Sequence, residues 1–193
     1  MRTIVINVIR LLITALVCAA CTDTRSVFED LLIKQRLEIG ELRNEILLAD
    51  TKIDAANEVA MQEVDYLLAK MDEKAISSEE FDAIDARAIE LLDLIESNHN
   101  KKNRLAQDLD NKMAELYALS SAIYSVCGKS SAEVFRERMM TLFGKGGGEN
   151  ELESTFVASE KYYGELVEGQ RGSSTCGRAI RIIEESLLST SGV

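Results

Sequence analysis

The 193-residue sequence contains no proline, no tryptophan and one histidine, and aromatic residues make up only 5% of it. The absence of proline removes the residue that interrupts helices most strongly. Few runs of β-branched residues occur, whereas the good helix formers Ala, Leu, Glu, Lys and Met dominate. Hydrophobic residues reach 46%, which argues against wholesale disorder. The composition predicts an all-α protein without strands.

Basic residues are outnumbered by acidic ones, most strongly after residue 20. Residues 1–20 carry two arginines and no acid, which leaves 20 basic and 33 acidic residues in 21–193, a formal charge of −13. A surface of this charge repels nucleic acid and anionic lipid headgroups. We therefore expect no nucleic-acid partner.

The amino terminus has the three parts of a secretory signal peptide. Arg2 and Arg10 are the only charges in the first 22 residues, a short apolar run follows at 11–17, and small residues precede Cys21. A basic start, a short apolar core and a small-residue cleavage site are typical of export signals. We predict residues 1–20 as a signal peptide and residues 21–25 as a linker.

The sequence Cys18-Ala19-Ala20-Cys21 resembles the lipobox of bacterial lipoproteins, although Cys18 stands where leucine is more usual. The resemblance implies that Cys21 becomes the lipidated first residue of the mature chain, which anchors it to a membrane. Thr22 follows this cysteine in place of Asp. By the same resemblance, this implies sorting to the outer membrane, with the protein facing the periplasm.

Two alternatives to lipidation remain. Ordinary signal-peptidase cleavage at the same bond would leave a free thiol on Cys21. An uncleaved membrane anchor would need about 20 mostly apolar residues, and Asn7 and Arg10 interrupt the run. Arginine near a bilayer centre costs roughly 3 kcal/mol, which makes the anchor the weakest of the three interpretations.

Two further cysteines, Cys127 and Cys176, remain when Cys21 carries a lipid. An even pair in an oxidising compartment indicates one disulfide. The flanking glycines Gly128 and Gly177 suit loop or cap positions. We predict a Cys127–Cys176 disulfide, with two unpaired cysteines that act as small hydrophobic residues as the alternative.

Residues 26–74 contain a single glycine, Gly40, and no helix breaker. Apolar residues recur every seven positions, and three more fill the intervening heptad position. The first set is Leu32, Ile39, Ile46, Ile53, Ala60 and Leu67, and the second is Leu42, Ala49 and Ala56. This pattern is typical of a coiled-coil helix.

A second long helix is predicted to begin after residue 77, where Ser77 and Glu80 form a capping box. Its apolar residues are Phe81, Ile84, Ala88, Leu91, Ile95, Leu105, Leu109, Leu116, Leu119, Ile123 and Val126. Two runs of about 50 residues, each roughly 75 Å long, must lie antiparallel when their connection is short. We predict an antiparallel helical hairpin over 26–127, with its tip near 75–78.

Polar residues at 98–103 interrupt the second heptad run and should face the region of Ile53. Polar residues at core positions commonly specify register at some cost in stability. We interpret the patch as a solvated turn or a register-fixing layer, with a hinge or a partner contact as the alternative.

Residues 128–193 have a different character and predict a small cluster of short helices. Ser130 and Glu133 form a candidate capping box for a helix that ends near Phe143. Glycine-rich residues 144–150 form a loop, and helices should follow at 151–167 and at about 178–188. None of these helices can bury its apolar face alone, so we expect them to pack around the base of the hairpin.

The sequence contains no recognisable catalytic or metal-binding set. Lys145 precedes the glycines of its loop, whereas a phosphate-binding loop needs Gly-Lys-Ser/Thr after a strand. His99, the only histidine, lies far from the cysteine pair, and a metal site needs more ligands. We therefore expect no enzyme activity, no metal and no cofactor.

The leading functional hypothesis is a non-enzymatic, membrane-anchored lipoprotein that acts as a structural or adaptor component of the bacterial envelope. Its partners would be the membrane, through the lipid on Cys21, and proteins that contact its helices. The alternative is a periplasmic binding module or inhibitor that works through the C-terminal helices. That class includes plasmid- or phage-type exclusion and lysis lipoproteins. Both hypotheses are compatible with a homo-oligomer.

Overall fold

The computed structural model describes residues 26–72, 76–129, 132–143, 149–171 and 175–188. These residues form five α-helices and no strand, which confirms the all-α prediction. The helices are α1 Val27–Met71, α2 Ser78–Val126, α3 Ala132–Phe143, α4 Glu149–Val167 and α5 Cys176–Ile183. A 3₁₀ turn, Glu168–Gln170, follows α4, and a π-helical stretch, Glu184–Leu188, continues α5.

Several predicted features lie outside the described residues. They include the signal peptide, Cys21, the linker 21–25 and the capping serine Ser130. Residues 144–148 of the glycine-rich loop and residues 172–174 of the next loop also lie outside them.

Helices α1 and α2 pack against each other as an antiparallel hairpin, as predicted. Three ion pairs that cross between them establish the direction. Glu38 pairs with Lys112 at 3.0 Å, Asp54 with Lys102 at 2.9 Å, and Glu63 with Arg87 at 2.9 Å. Partner numbers fall on α2 as they rise on α1, so the two helices run in opposite directions.

Side-chain hydrogen bonds set two of the helix starts, and a glycine conformation ends one helix. The Ser77 hydroxyl accepts from the backbone N–H of Glu80, and the Glu80 carboxylate accepts from the backbone N–H of Ser77, both at 3.2 Å. This confirms the predicted capping box. The Ser26 hydroxyl likewise accepts from the N–H of Glu29 and begins α1. At the end of α2, Gly128 adopts φ of 74°, the left-handed conformation that glycine adopts most readily.

The inward stripe of α1 follows the predicted heptads with one correction. Leu32, Ile39, Ile53 and Ala60 are buried. Ala56, however, is exposed, and Asn57 occupies the inward position beside it. The stripe shifts by one residue there because Asn57 has a hydrogen-bonding partner on α2.

Phe81 is also more exposed than its heptad position predicts, at 42%. It lies in the first turn of α2, near the tip, where α1 ends at Met71. Little of α1 remains at that level to cover the ring.

Helices α3 and α4 pack along the open end of the hairpin and thicken it. The Tyr124 ring meets Phe135 edge-on with centroids 4.9 Å apart, and Tyr117 contacts Phe143 further along. Helix α3 therefore runs back along α2. Helix α4 then returns in the direction of α2, pairing Glu151 with Gln107 and Glu160 with Ser121.

This part of the molecule, which we call the foot, comprises residues 26–42 and 107–129 together with α3, α4 and α5. It holds the main core, in which Phe28, Phe135, Phe156, Leu119 and Ile123 are almost fully buried. Beyond the foot, only α1 and α2 lie side by side among the described residues. A small separate core of Ala60, Val64 and Leu91 joins them there.

Candidate functional site

The two predicted partner cysteines are joined at the foot. Cys127 follows the last residue of α2, and Cys176 is the first residue of α5. Their Cα atoms are 5.6 Å apart and their sulfurs form a disulfide. The bond fastens the last helix to the open end of the hairpin, as predicted. Gly177 is not a cap, because it lies inside the first turn of α5.

Polar contacts reinforce this attachment on both sides of the disulfide. Glu29 on α1, only 8% exposed, pairs with Arg178 on α5 at 3.2 Å. The Tyr124 hydroxyl on α2 donates to the carboxylate of Glu184 at 3.1 Å. Burial raises the pKa of Tyr124 to about 12, and its bond to Glu184 acts in the same direction. The last helix is thus attached to both helices of the hairpin.

A buried amide connects α1, α2 and α4 inside the foot. The side-chain nitrogen of Gln35 donates to the hydroxyl oxygen of Tyr163 at 2.5 Å and to the Glu115 carboxylate at 3.3 Å. Glu115 in turn accepts from Lys112 at 3.0 Å. Burial raises the pKa of Tyr163. The sequence signal for this network was a glutamine at an inward heptad position, three residues after Leu32, and our sequence analysis missed it.

The polar patch at 98–103 forms a layer across the middle of the hairpin. Asn98 donates to the side-chain oxygen of Asn57 at 2.8 Å. Lys102 pairs with Asp50 at 3.1 Å and with Asp54 at 2.9 Å, and these bonds raise its pKa. The patch therefore faces the region of Ile53, as predicted. Helix α2 continues through the patch without interruption, so the alternative of a solvated turn is wrong.

Beyond this layer, large apolar side chains are exposed on both helices. On α1 they are Val59, Met61, Tyr66 and Leu68, and on α2 they are Phe81, Ile89, Leu92 and Leu94, each between 42% and 64% exposed. Scattered exposed apolar residues are normal, but these eight lie together on the two-helix part of the hairpin beyond the foot, residues 43–72 and 76–106, which we call the arm. The arm is therefore a candidate contact surface. The sequence signal was apolar residues directly beside inward heptad positions, which our sequence analysis did not single out.

Within the described residues, no group of three or more His, Cys, Asp or Glu side chains is placed to hold a metal ion. His99 is exposed on α2. Grooves along the hairpin are open to solvent and lined mainly by charged side chains, such as Glu41, Glu45 and Lys101. None of the described helices is long and apolar enough to span a membrane.

Comparison with known proteins leaves the family open. No protein-family model, curated protein or solved structure matches this chain. Its function must therefore be inferred from its own residues.

Proposed function

We propose that this protein is a non-enzymatic lipoprotein of the bacterial envelope that acts as a structural or adaptor component through helix–helix contacts. The observation that carries the proposal is the arm beyond the foot, where two helices pair and leave large apolar side chains in water. A third helix laid along such an arm would bury apolar surface worth about 25 cal/mol per Å². The arm is therefore suited to contacting other helices.

The lipid supplies the orientation of this arm. Cys21 precedes Ser26 by five residues, which can span at most about 18 Å of extended chain. Ser26 begins α1 at the foot, where the disulfide and the short helices also lie. A lipid on Cys21 would hold the foot near the membrane. Helix α1, with 45 residues, would carry the tip roughly 65 Å away.

The anchoring part is tested by substituting Cys21. Cells that express the full chain are labelled with radioactive palmitate and separated into inner-membrane, outer-membrane and soluble fractions. We expect Cys21→Ser to lose the label and to release the protein from the membrane, whereas the matched control Cys18→Ser keeps both. Label on the Cys21→Ser protein, or membrane retention without label, would contradict the lipid anchor.

The contact part is tested with polar substitutions that leave the inward stripe intact. The paired changes Met61→Gln and Leu68→Gln alter exposed positions, so circular dichroism should show unchanged helix content. We expect them to reduce in-cell photo-crosslinking of the arm to other envelope proteins. Unchanged crosslinking with this pair, and with a matched Ile89→Gln and Leu92→Gln pair, would contradict an adaptor arm.

A second candidate is a binding module or inhibitor that works through the C-terminal helices. The observation that favours it is a set of exposed apolar side chains on α4, namely Val157, Tyr162 and Leu166. Deletion of these helices would uncover the foot's core, so point changes are the better test. This candidate would be favoured over the first if Tyr162→Ser and Leu166→Ser reduced crosslinking to other envelope proteins while the arm variants did not.

A further inference from the structure

The two sides of the arm near its tip differ, and pairing between the helices shows which residues share a side. We use the word tip from here on for the connection near 75–78 together with the adjoining parts of both helices, residues 58–72 and 76–96. Glu63 precedes the inward residue Val64, Arg87 precedes the inward residue Ala88, and the two side chains pair at 2.9 Å. Each residue advances a helix by roughly 100°. In antiparallel helices, positions one residue before an inward residue therefore share one side, and positions one residue after share the other.

The positions that follow inward residues carry a regular mixture of apolar and acidic side chains. Met61, Leu68, Ile89 and Leu92 follow the inward residues Ala60, Leu67, Ala88 and Leu91, and they are 48% to 52% exposed. The acids on the same side are exposed as well: Glu58, Asp65, Asp72, Asp85 and Glu96. We call these nine residues the acidic face of the tip.

The opposite side also carries exposed apolar residues, Val59, Tyr66 and Leu94, but it differs in charge. It carries Arg87 with both of its carboxylate partners, Glu63 at 2.9 Å and Glu90 at 2.6 Å. These bonds raise the pKa of Arg87, so its charge is engaged there. The acidic face, by contrast, contains five carboxylates and no lysine or arginine.

The charge of the whole tip points in the same direction. Residues 58–72 contain four acids and residues 76–96 contain seven, against Lys70 and Arg87 alone. A second copy of this chain would bring like charges together on this face, and an anionic membrane surface would do the same. Both contacts cost free energy. A face that combines exposed apolar side chains with carboxylates and contains no cation is complementary to an amphipathic helix with lysine and arginine beside its apolar strip.

We propose that the acidic face of the tip docks a basic amphipathic helix of a partner protein. The inference rests on the proposed adaptor function and specifies the partner's chemistry. Leu68 and Met61 on α1, with Ile89 and Leu92 on α2, would receive the partner's apolar residues. The carboxylates of the same face would pair with its lysines and arginines, steering association and setting orientation.

The test uses the full chain and a synthetic peptide of about 18 residues, long enough to follow the face over five helical turns. The peptide carries leucine at heptad positions and lysine or arginine on both flanks. Two control peptides replace either the basic residues by glutamate or the leucines by alanine. Binding is measured by fluorescence anisotropy at low and high salt. We expect binding of the basic leucine peptide, at least tenfold weaker binding of each control, and weakening by salt.

Protein variants then locate the bound peptide. Met61→Gln with Leu68→Gln, and Ile89→Gln with Leu92→Gln, should each weaken binding about tenfold or more. The matched pair Val59→Gln with Leu94→Gln changes residues on the other side that are 64% and 47% exposed, and it should leave affinity within about twofold. Asp65→Asn with Asp85→Asn should weaken binding and reduce its salt dependence. Circular dichroism of each variant checks that the hairpin is intact.

Three results would overturn the inference. The first is an equal loss of peptide affinity from substitutions on the acidic face and on the opposite side, and the second is binding of the glutamate peptide as tight as that of the basic peptide. The third is tip-dependent self-association or vesicle binding without binding of the basic peptide. The peptide assay does not require the lipid, so its outcome is independent of the Cys21→Ser experiment. Label on the Cys21→Ser protein, or its retention at the membrane, together with tip-dependent peptide binding would overturn only the lipoprotein proposal. Loss of label and release of the Cys21→Ser protein, without tip-dependent peptide binding, would overturn only the docking inference.

Discussion

The side-chain amide of Asn98 on α2 donates a hydrogen bond of 2.8 Å to the side-chain oxygen of Asn57 on α1. Both residues are half-buried and occupy inward positions of the hairpin. The pair lies beside the place where the inward stripe of α1 passes over Ala56. A polar pair at such a position aligns two helices because any other register leaves both amides unpaired.

This pair makes a double-mutant prediction. Asn98→Leu should lower the free energy of unfolding by about 1–2 kcal/mol, because the half-buried Asn57 amide loses its partner. The double change Asn57→Leu with Asn98→Leu should restore or exceed the original stability, while relaxing the register. Urea unfolding of both single variants and the double measures the coupling, and light scattering detects alternative association. A double variant as unstable as the two singles added together would contradict a coupled pair.

The disulfide should stabilise the foot more than the arm. Cys127→Ser with Cys176→Ser removes a cross-link between residues 49 apart in sequence, for which we expect a loss of about 2–4 kcal/mol of unfolding free energy. Hydrogen exchange should accelerate first in α5, since Glu29–Arg178 and Tyr124–Glu184 then hold it without a covalent bond. Exchange near Val64 in the separate core of the arm provides the internal control. Equal acceleration in both regions would contradict a local role.

Two helical glycines should be replaceable by alanine with a gain in stability. Gly40 in α1 and Gly164 in α4 have nothing within 4 Å of the position that an added Cβ would take. Each change to alanine should raise the free energy of unfolding by about 0.5–1 kcal/mol, because alanine loses less backbone entropy in a helix.

Gly128 is the matched control for this series. Its added Cβ would also meet nothing, but its φ is 74°. Alanine there should destabilise by about 1–2 kcal/mol because of the left-handed backbone. Thermal unfolding of the three single variants checks the series, and a stabilising Gly128→Ala would contradict the cap.

Tyr124 should make the foot sensitive to alkaline pH. Its pKa is raised from 10.0 to about 12, chiefly by burial. A raised folded-state pKa means that the folded protein retains the phenolic proton while the unfolded chain releases it. The stabilising contribution is therefore complete below pH 10 and is lost as pH rises from about 10 to 12. Burial raises the pKa of Tyr117 and Tyr163 as well, so they add to the same decline.

The measurement is urea unfolding between pH 8 and 11.5. Tyr124→Phe removes one of the linked protons, so its stability should fall less steeply than that of the wild type above pH 10. Tyr66→Phe is the matched control for removing a tyrosine hydroxyl, because Tyr66 is 63% exposed on the arm. Parallel slopes for wild type and Tyr124→Phe would contradict the linkage.

Much of the helical framework could be predicted from local signals. Periodic apolar residues predicted both long helices of the hairpin. Ser77 with Glu80 marked the start of α2, and the structure has their capping box. The pairing of Cys127 with Cys176 was predicted from their even number and from the predicted export of the chain, and the bond is present. Lipidation of Cys21 stays a prediction, because that residue lies outside the described ranges.

Other features could not be predicted because they depend on contacts between distant residues. Gln35 and Tyr163 are 128 residues apart, and no periodicity connects them. The position of α4 along α2 depends on side chains such as Glu151 and Gln107, whose meeting requires the chain to have turned back twice. The heptad pattern predicted Ala56 as an inward residue, but Asn57 occupies the inward position and accepts a hydrogen bond from Asn98. A rigid heptad count cannot anticipate a shift that is stabilised from the other helix.

Helix content, hairpin connectivity and acidity follow from composition and from periodicity within single segments, because a helix repeats every 3.6 residues whatever it packs against. The acidic face of the tip is different. Met61 and Leu68 share a surface with Ile89 and Leu92 because antiparallel packing places positions on two helices, more than 20 residues apart in sequence, on the same side. The register that Glu63 and Arg87 reveal belongs to the folded hairpin, and it turns two separate patterns into one candidate docking surface.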